Sequence, residues 1–180
     1  MERRDVVVHT LGPAGTNCEA AARQWLRDNA AGNGTVVLHP TLEDAVPVVL
    51  EEPARNVLLG CVVYPRLHEL VFQNLSSMAL RECFMMPTHN MVLAAPSRGP
   101  IETVLSHPAP VDLVSGRGYR IQLSTSNAAA AADCAKAVTD ACITTRPAAD
   151  ANNLLVIEDF GPVDMGFSIH VPHQSEVYPR

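Results

Sequence analysis

The feature that most restricts the fold is a pattern near the start of the chain, in which a β-branched run, a turn and a helix-forming stretch follow one another twice. Asp5 to Leu11 reads as a strand ending in Gly12-Pro13-Ala14-Gly15, after which Thr16 or Asn17 can cap an alanine-rich segment, Glu19 to Asn29. Thr35 to His39 repeats the strand signal. Thr41 then caps Leu42 to Glu51, with Glu43 and Asp44 in its first turn, and Asn56 to Val63 is a third apolar strand. The order βαβαβ predicts a parallel sheet with helices on both faces. Pro47 is expected to kink or shorten the second helix.

From Ser77 the pattern changes to two extended runs, Met78 to Met86 and His89 to Ala95, parted by Pro87-Thr88. Pro108 to Val114, Ile121 to Leu123, Ser126 to Val138, Ala141 to Thr144 and Leu154 to Ile157 then alternate helix and strand, and Phe167 to Val171 is a final strand. This predicts two α/β lobes without a flexible linker, the first from 1–79 plus 161–180 and the second from 80–160. A cleft is expected between them, and such clefts commonly hold ligands.

Charge and cysteine usage narrow the function classes. Charged residues make up 18% of the chain and the formal net charge is −6, so no basic stripe is offered to nucleic acid or to an anionic membrane. Asp5 interrupts the short apolar run after Arg3-Arg4, which argues against a signal peptide, and no stretch approaches the roughly 18–20 apolar residues of a membrane span. A cytoplasmic location is expected. The five cysteines show no C-x-x-C pair or zinc-ligand spacing, so they read as reduced thiols, and neither a metal nor a cofactor is expected.

Three segments share one device, a short turn rich in Gly, Pro, Ser or Thr that opens a helix: Gly12 to Thr16, Ser106 to Pro110, and Ser124 to Asn127. Unpaired N–H groups and the partial positive charge of a helix start hold carboxylates and phosphates. Each turn alone is also what an ordinary helix cap looks like. None is a Walker loop or a G-x-G-x-x-G fingerprint.

These residues carry a family resemblance. Gly12-Pro13-x-Gly15-Thr16 with Glu19-x-Ala21-Ala22, Leu42-Glu43-Asp44, Leu105-Ser106-His107-Pro108 and Ser124-Thr125-Ser126 resemble, in order, the motifs of prephenate dehydratases. The departures point further. Val63 to Glu69 stands where dehydratases carry an Ile-Glu-Asn-Ser type segment, and Val163-Asp164-Met165-Gly166-Phe167-Ser168 where they carry Thr-Thr-Arg-Phe. Thr144-Thr145-Arg146 imitates the latter but lies about 20 residues early relative to the final strand. With its Ser-His-Pro-x-Pro and Ser-Thr-Ser turns, the chain more closely resembles the bacilysin-type, non-aromatising prephenate decarboxylases.

The resemblance implies a type 2 periplasmic-binding-protein-like fold, with a mixed, mainly parallel sheet in each lobe. It also implies a single catalytic domain without a regulatory one, and prephenate as the small-molecule partner. The expected activity is decarboxylation with retention of the ring hydroxyl, in antibiotic biosynthesis. Gly15, Thr16, Ser124, Thr125 and Ser126 would hold the pyruvyl side or the hydroxyl, and Ser106 another substrate oxygen. Arg66 would add charge pairing, and Met165, Gly166 and Phe167 an apolar wall lacking the acid that assists hydroxide loss. His89, His107, Tyr64 and His68 are candidate proton donors, alongside a bound water. Cys18 has no nucleophilic role in this chemistry. A dehydratase, or a non-catalytic small-molecule-binding module, is the alternative, and a homodimer is left open.

Overall fold

The computed structural model describes residues 5–29 and 33–177. The basic flank at 1–4, weighed above as a leader, lies outside them, as do residues 178–180 of the first lobe. The chain divides into two compact units, Met1–Met86 with Asp164–Arg180, and Pro87–Val163. The breaks fall later than 79/80 and 160/161. The strand from Met78 pairs in the first sheet, while Thr88 and Val163 are tied to each other, N–H to carbonyl at 2.9 Å and N–H to hydroxyl at 3.0 Å.

In the first unit the expected alternation is present as β1 (Val6–Leu11), α1 (Asn17–Asn29), β2 (Gly34–His39), α2 (Leu42–Glu51) and β3 (Asn56–Cys61). A two-turn helix, α3 (Leu67–Gln73), and a long strand, β4 (Met78–Pro87), follow. The chain returns to this unit as β10 (Asp164–Pro172), which inserts between β3 and β4 in the order β2-β1-β3-β10-β4. β1 is parallel to β2 and β3, and β10 runs antiparallel to β3 with Phe167 opposite Cys61. Alternation along β3 sends Val57 and Leu59 into the core under α1, with Ala21, Ala22 and Trp25, and Leu58 into the core under α2 and α3, with Leu42, Val49 and Leu70. Helices therefore cover both faces. α2 keeps its full length through Pro47, and Thr41 caps it by accepting the Asp44 N–H at 3.1 Å.

The second unit holds β5 (Met91–Ala95), β6 (Thr103–Ser106), a 3-10 helix (Val111–Val114), β7 (Arg120–Leu123), α4 (Asn127–Ala135), β8 (Ala141–Thr145), α5 (Arg146–Ala151) and β9 (Leu155–Gly161). Its sheet has the order β7-β6-β8-β5-β9, with β6 parallel to β7 and β8, and β5 antiparallel to β8 and β9. The stretch expected as a helix from Pro108 yields only the four-residue 3-10 turn, since Pro108 and Pro110 each lack an N–H donor. Among the described residues no helix is long and apolar enough to cross a membrane.

Candidate active site

In each unit the turns expected to hold anions gather on one sheet edge, where the carboxyl ends of the parallel strands lie. In the first unit, Gly12 to Thr16 follows β1, Thr41 follows β2 and Val62 to Arg66 follows β3. The antiparallel β10 brings its beginning, Asp164 to Gly166, to the same edge. In the second unit, β6 ends at Ser106, β7 at Leu123 before Ser124 to Ser126, and β8 at Thr145. His89 sits there too, just before β5, whose Met91 pairs with Thr145. Open α/β sheets bind ligands at such carboxyl edges.

Gly15 adopts φ +80, the left-handed conformation that glycine tolerates, and is exposed. Its N–H donates to the Glu19 carboxylate at 2.6 Å, and Thr16 Oγ1 accepts the Glu19 N–H at 3.4 Å. Glu19 thus joins the turn without having been among the expected site residues, although Thr16-x-x-Glu19 is the sequence signature of a capping box. The Gly15 N–H, together with Arg23, whose guanidinium lies 2.6 Å away, holds the Glu19 carboxyl below its usual range.

Tyr64 is half-buried and donates its hydroxyl to Glu43 Oε2 at 2.5 Å; burial and Glu43 raise its pKa. Arg66 is exposed and shared between Glu69 at 3.0 Å and Glu43 at 3.5 Å, so its charge is already opposed by two carboxylates. Glu43, in the first turn of α2, is the residue that gathers Tyr64 and Arg66, a role that nothing in its spacing announces. His68 is exposed on α3.

At the head of β10, strand alternation decides each residue's surroundings. Phe167 is fully buried against Phe84, with ring centroids 5.7 Å apart, so it belongs to the core and does not form the wall expected of it. Met165 is half-buried against the same core. Gly166 faces the other way, where an added Cβ would meet Val62 Cγ2 at 2.9 Å. Val62 therefore fills the space that a side chain at 166 would need.

In the second unit, Ser126 caps α4 by accepting the Ala129 N–H at 3.0 Å, and Ser124 donates to the Ser126 carbonyl at 3.3 Å. Thr125 is exposed, and its hydroxyl has no hydrogen-bond partner among the described residues. The N–H groups of Asn127 and Ala128 precede the first intrahelical bond, which runs from Ala130 to Ser126. Ser106 is fully buried and donates to the His107 carbonyl at 2.8 Å, so it shapes its turn and offers no free hydroxyl. His107 accepts the Ala109 N–H on Nδ1 at 3.3 Å, which puts the proton of the neutral ring on Nε2. Thr145 caps α5 and Arg146 pairs with Asp150 and Asp159, an ordinary helix start that accounts for the Thr-Thr-Arg imitation. A separate cavity of about 270 Å³, lined by Leu70, Met78, Leu80, His170 and His173 among others, has no part in either edge.

Burial lowers the pKa of His9, His39, His107 and His170 from the ordinary 6.5, and His9 and His39 lie 2.9 Å apart, Nδ1 to Nε2. The unfolded chain therefore takes up protons at higher pH than the folded one. The stability these neutral rings contribute is complete above about pH 6.5 and is lost as the pH falls through their folded values. Thermal melts are expected to show a midpoint that falls between pH 7 and pH 5, and a shallower fall for His9→Gln.

No protein-family model matches the chain. It is 24% identical, over 91% of its length and 85% of theirs, to the prephenate decarboxylases of Bacillus subtilis (strain 168) and Bacillus amyloliquefaciens. Among solved structures it superimposes on the prephenate dehydratase of Staphylococcus aureus with a TM-score of 0.68 at 13% identity, covering 97% of this chain and 67% of that one. GqqA, described as a quorum-quenching acylase, gives 0.65 at 15% identity over 92% of this chain, which spans 63% of the acylase chain. The periplasmic VFT2 domain of Bordetella pertussis BvgS gives 0.54 at 14% identity, over 93% of this chain and 80% of that one. The fold is the two-lobed α/β fold of prephenate dehydratases and type 2 periplasmic binding domains. In sequence the chain is similar to the prephenate decarboxylases, as its motifs led us to expect.

Proposed function

We propose that this protein is a carbon–carbon lyase that decarboxylates prephenate and keeps the ring hydroxyl, giving a dihydro-4-hydroxyphenylpyruvate for antibiotic-type secondary metabolism. The observation that carries this reading is the head of β10. By the resemblance, Met165 and Gly166 stand where dehydratases have a hydroxyl and a guanidinium, and in the structure Val62 occupies the space beside Gly166. Similarity to named prephenate decarboxylases supports it.

Loss of CO₂ together with hydroxide from prephenate makes an aromatic ring, so the reaction outcome turns on where an acid is placed. An enzyme that keeps the hydroxyl must withhold a proton from it. As the C–CO₂ bond breaks, the electron pair passes into the ring diene, and a ring carbon takes up one proton. The α4 start, with Ser124, Thr125 and two unpaired N–H groups, would hold one of the substrate's anionic groups, and the Gly15-Thr16 turn would act in the same manner. His107 is the donor we favour, because its Nε2 carries the proton of the neutral ring, while Tyr64 is committed to Glu43.

Proton NMR of fresh prephenate incubated with the purified protein, compared with a protein-free control, is expected to show a non-aromatic product that keeps the carbinol proton. Phenylpyruvate as the main product would instead assign a dehydratase. Saturable binding without turnover would assign a binding module.

A further inference from the structure

The cavity of about 270 Å³ in the first unit is formed by α3, the turn after it, β4 and the end of β10. Leu70 and Met78 line it from the core, and Leu75 and Leu80, each more than half exposed, mark its open side. Backbone bonds hold its frame. The His173 N–H, just past β10, donates to the Ser77 carbonyl at 2.9 Å, and the Ser77 and Met78 N–H groups both donate to the Asn74 carbonyl at 2.9 Å. Among the described residues, no lysine, arginine, aspartate or glutamate lines the cavity.

Its polarity comes chiefly from two imidazoles. His170 lies opposite Leu58 across the β10–β3 pair, so both side chains turn toward α2 and α3. His170 is only 5% exposed, and its Nε2 lies 2.9 Å from Ser168 Oγ. Its Nδ1 has no hydrogen-bond partner among the described residues. Nor is that nitrogen sealed in, since the unpaired side-chain atoms shut away from solvent belong to His9, Asn56 and Asn127. The cavity that His170 lines is where Nδ1 opens. At the rim, His173 Nε2 donates to the Leu75 carbonyl at 3.0 Å, because a carbonyl can only accept.

We propose that this cavity is a binding site for a small uncharged molecule with an apolar body and one hydroxyl, a simple phenol or alcohol, held by a hydrogen bond to His170 Nδ1.

Burial lowers the pKa of His170, which favours the neutral ring. The free nitrogen of a neutral imidazole accepts in one tautomer and donates in the other, and a hydroxyl, which does both, suits either. A carboxylate, phosphate or ammonium group would lose its hydration among apolar side chains with no opposite charge to meet it. A wholly apolar molecule would cover Nδ1 and leave it unpaired, which is unfavourable for a buried polar atom. Size limits the body of the ligand. Benzene is held by an apolar cavity of about 150 Å³, so the space here admits one ring with a short alkyl substituent.

The test titrates the full chain with 4-methylphenol, toluene and 4-methylbenzoate while backbone amides are followed by two-dimensional NMR. With 4-methylphenol, saturable shifts centred on Leu70, Asn74, Ala79 and His170 are expected. Its affinity should exceed that of toluene roughly fivefold, the worth of one neutral hydrogen bond, and 4-methylbenzoate should leave these amides unmoved. Equal affinity for toluene, saturation by 4-methylbenzoate, or shifts centred on the Gly12 to Thr16 turn overturns the proposal. So does a lack of response to 4-methylphenol, and if the same amides then move with protein concentration, the cavity belongs to a second copy of the chain.

His170→Phe keeps a ring in place and removes Nδ1, so 4-methylphenol should lose its advantage over toluene. Should that variant fail to fold, Leu80→Trp at the exposed rim serves instead and is expected to block binding of both. A folded Leu80→Trp protein that binds 4-methylphenol unchanged places the ligand elsewhere and overturns the site. None of these readouts depends on turnover of prephenate.

Discussion

Thr125→Ala is expected to lower kcat/KM for prephenate about 10- to 100-fold, the worth of one hydrogen bond to a charged group, with no loss of thermal stability. The second half of that expectation makes the experiment decisive. Thr125 is exposed and holds nothing else in place, so a fall in activity would report the ligand and not the fold. Ser126 is the wrong residue for the purpose, because its hydroxyl caps α4, and its removal costs about 1 kcal/mol of stability whatever the site does. Adding Ser124→Ala to Thr125→Ala should carry the loss to about 10²–10⁴-fold if both hydroxyls face the same anionic group. Unchanged Michaelis parameters in the double variant would remove the α4 start from the site.

The second large effect concerns which product forms. Rebuilding the dehydratase segment as Met165→Thr with Gly166→Arg should restore acid assistance to hydroxide loss. Gly166 has no room for a side chain while Val62 stands 2.9 Å from the would-be Cβ, so the pair of changes alone should strain the head of β10. Val62 is half exposed and can be trimmed without opening the core. The triple variant Val62→Ala, Met165→Thr, Gly166→Arg is expected to make phenylpyruvate at about 10² times the rate of the unaltered protein, the lower end of what a positioned acid contributes. Phenylpyruvate can be followed by its enol absorbance. A folded triple variant that gives only the non-aromatic product would show that the hydroxyl is retained for another reason.

The sequence displays the elements whose ends carry a chemical signature. Thr41 and Ser126 sit where caps were expected, and the strands before them end where turn residues begin. The elements it hides lack such marks. α3 has no side-chain cap and buries only Leu70, and α5 carries Pro147 in its first turn, a residue that reads as a breaker yet suits that position. β6 is four residues long, too short to show a period.

At the site, the turns are visible because Gly, Ser, Thr and Pro serve them locally. A pairing such as that of Tyr64 with Glu43 depends on which elements lie side by side. The apolar character of Phe167 is plain from its identity, but the direction it faces follows from the pairing of β10 with β3.

That strand order also bears on how the molecule is made. The second unit is one unbroken stretch, so it can close as soon as β9 has left the ribosome. The first sheet has to wait longer, because β10, the strand between β3 and β4, is the last to be synthesised. Until it arrives, β3 exposes an unpaired apolar edge, and the nascent chain is most open to mispairing with its neighbours during that interval.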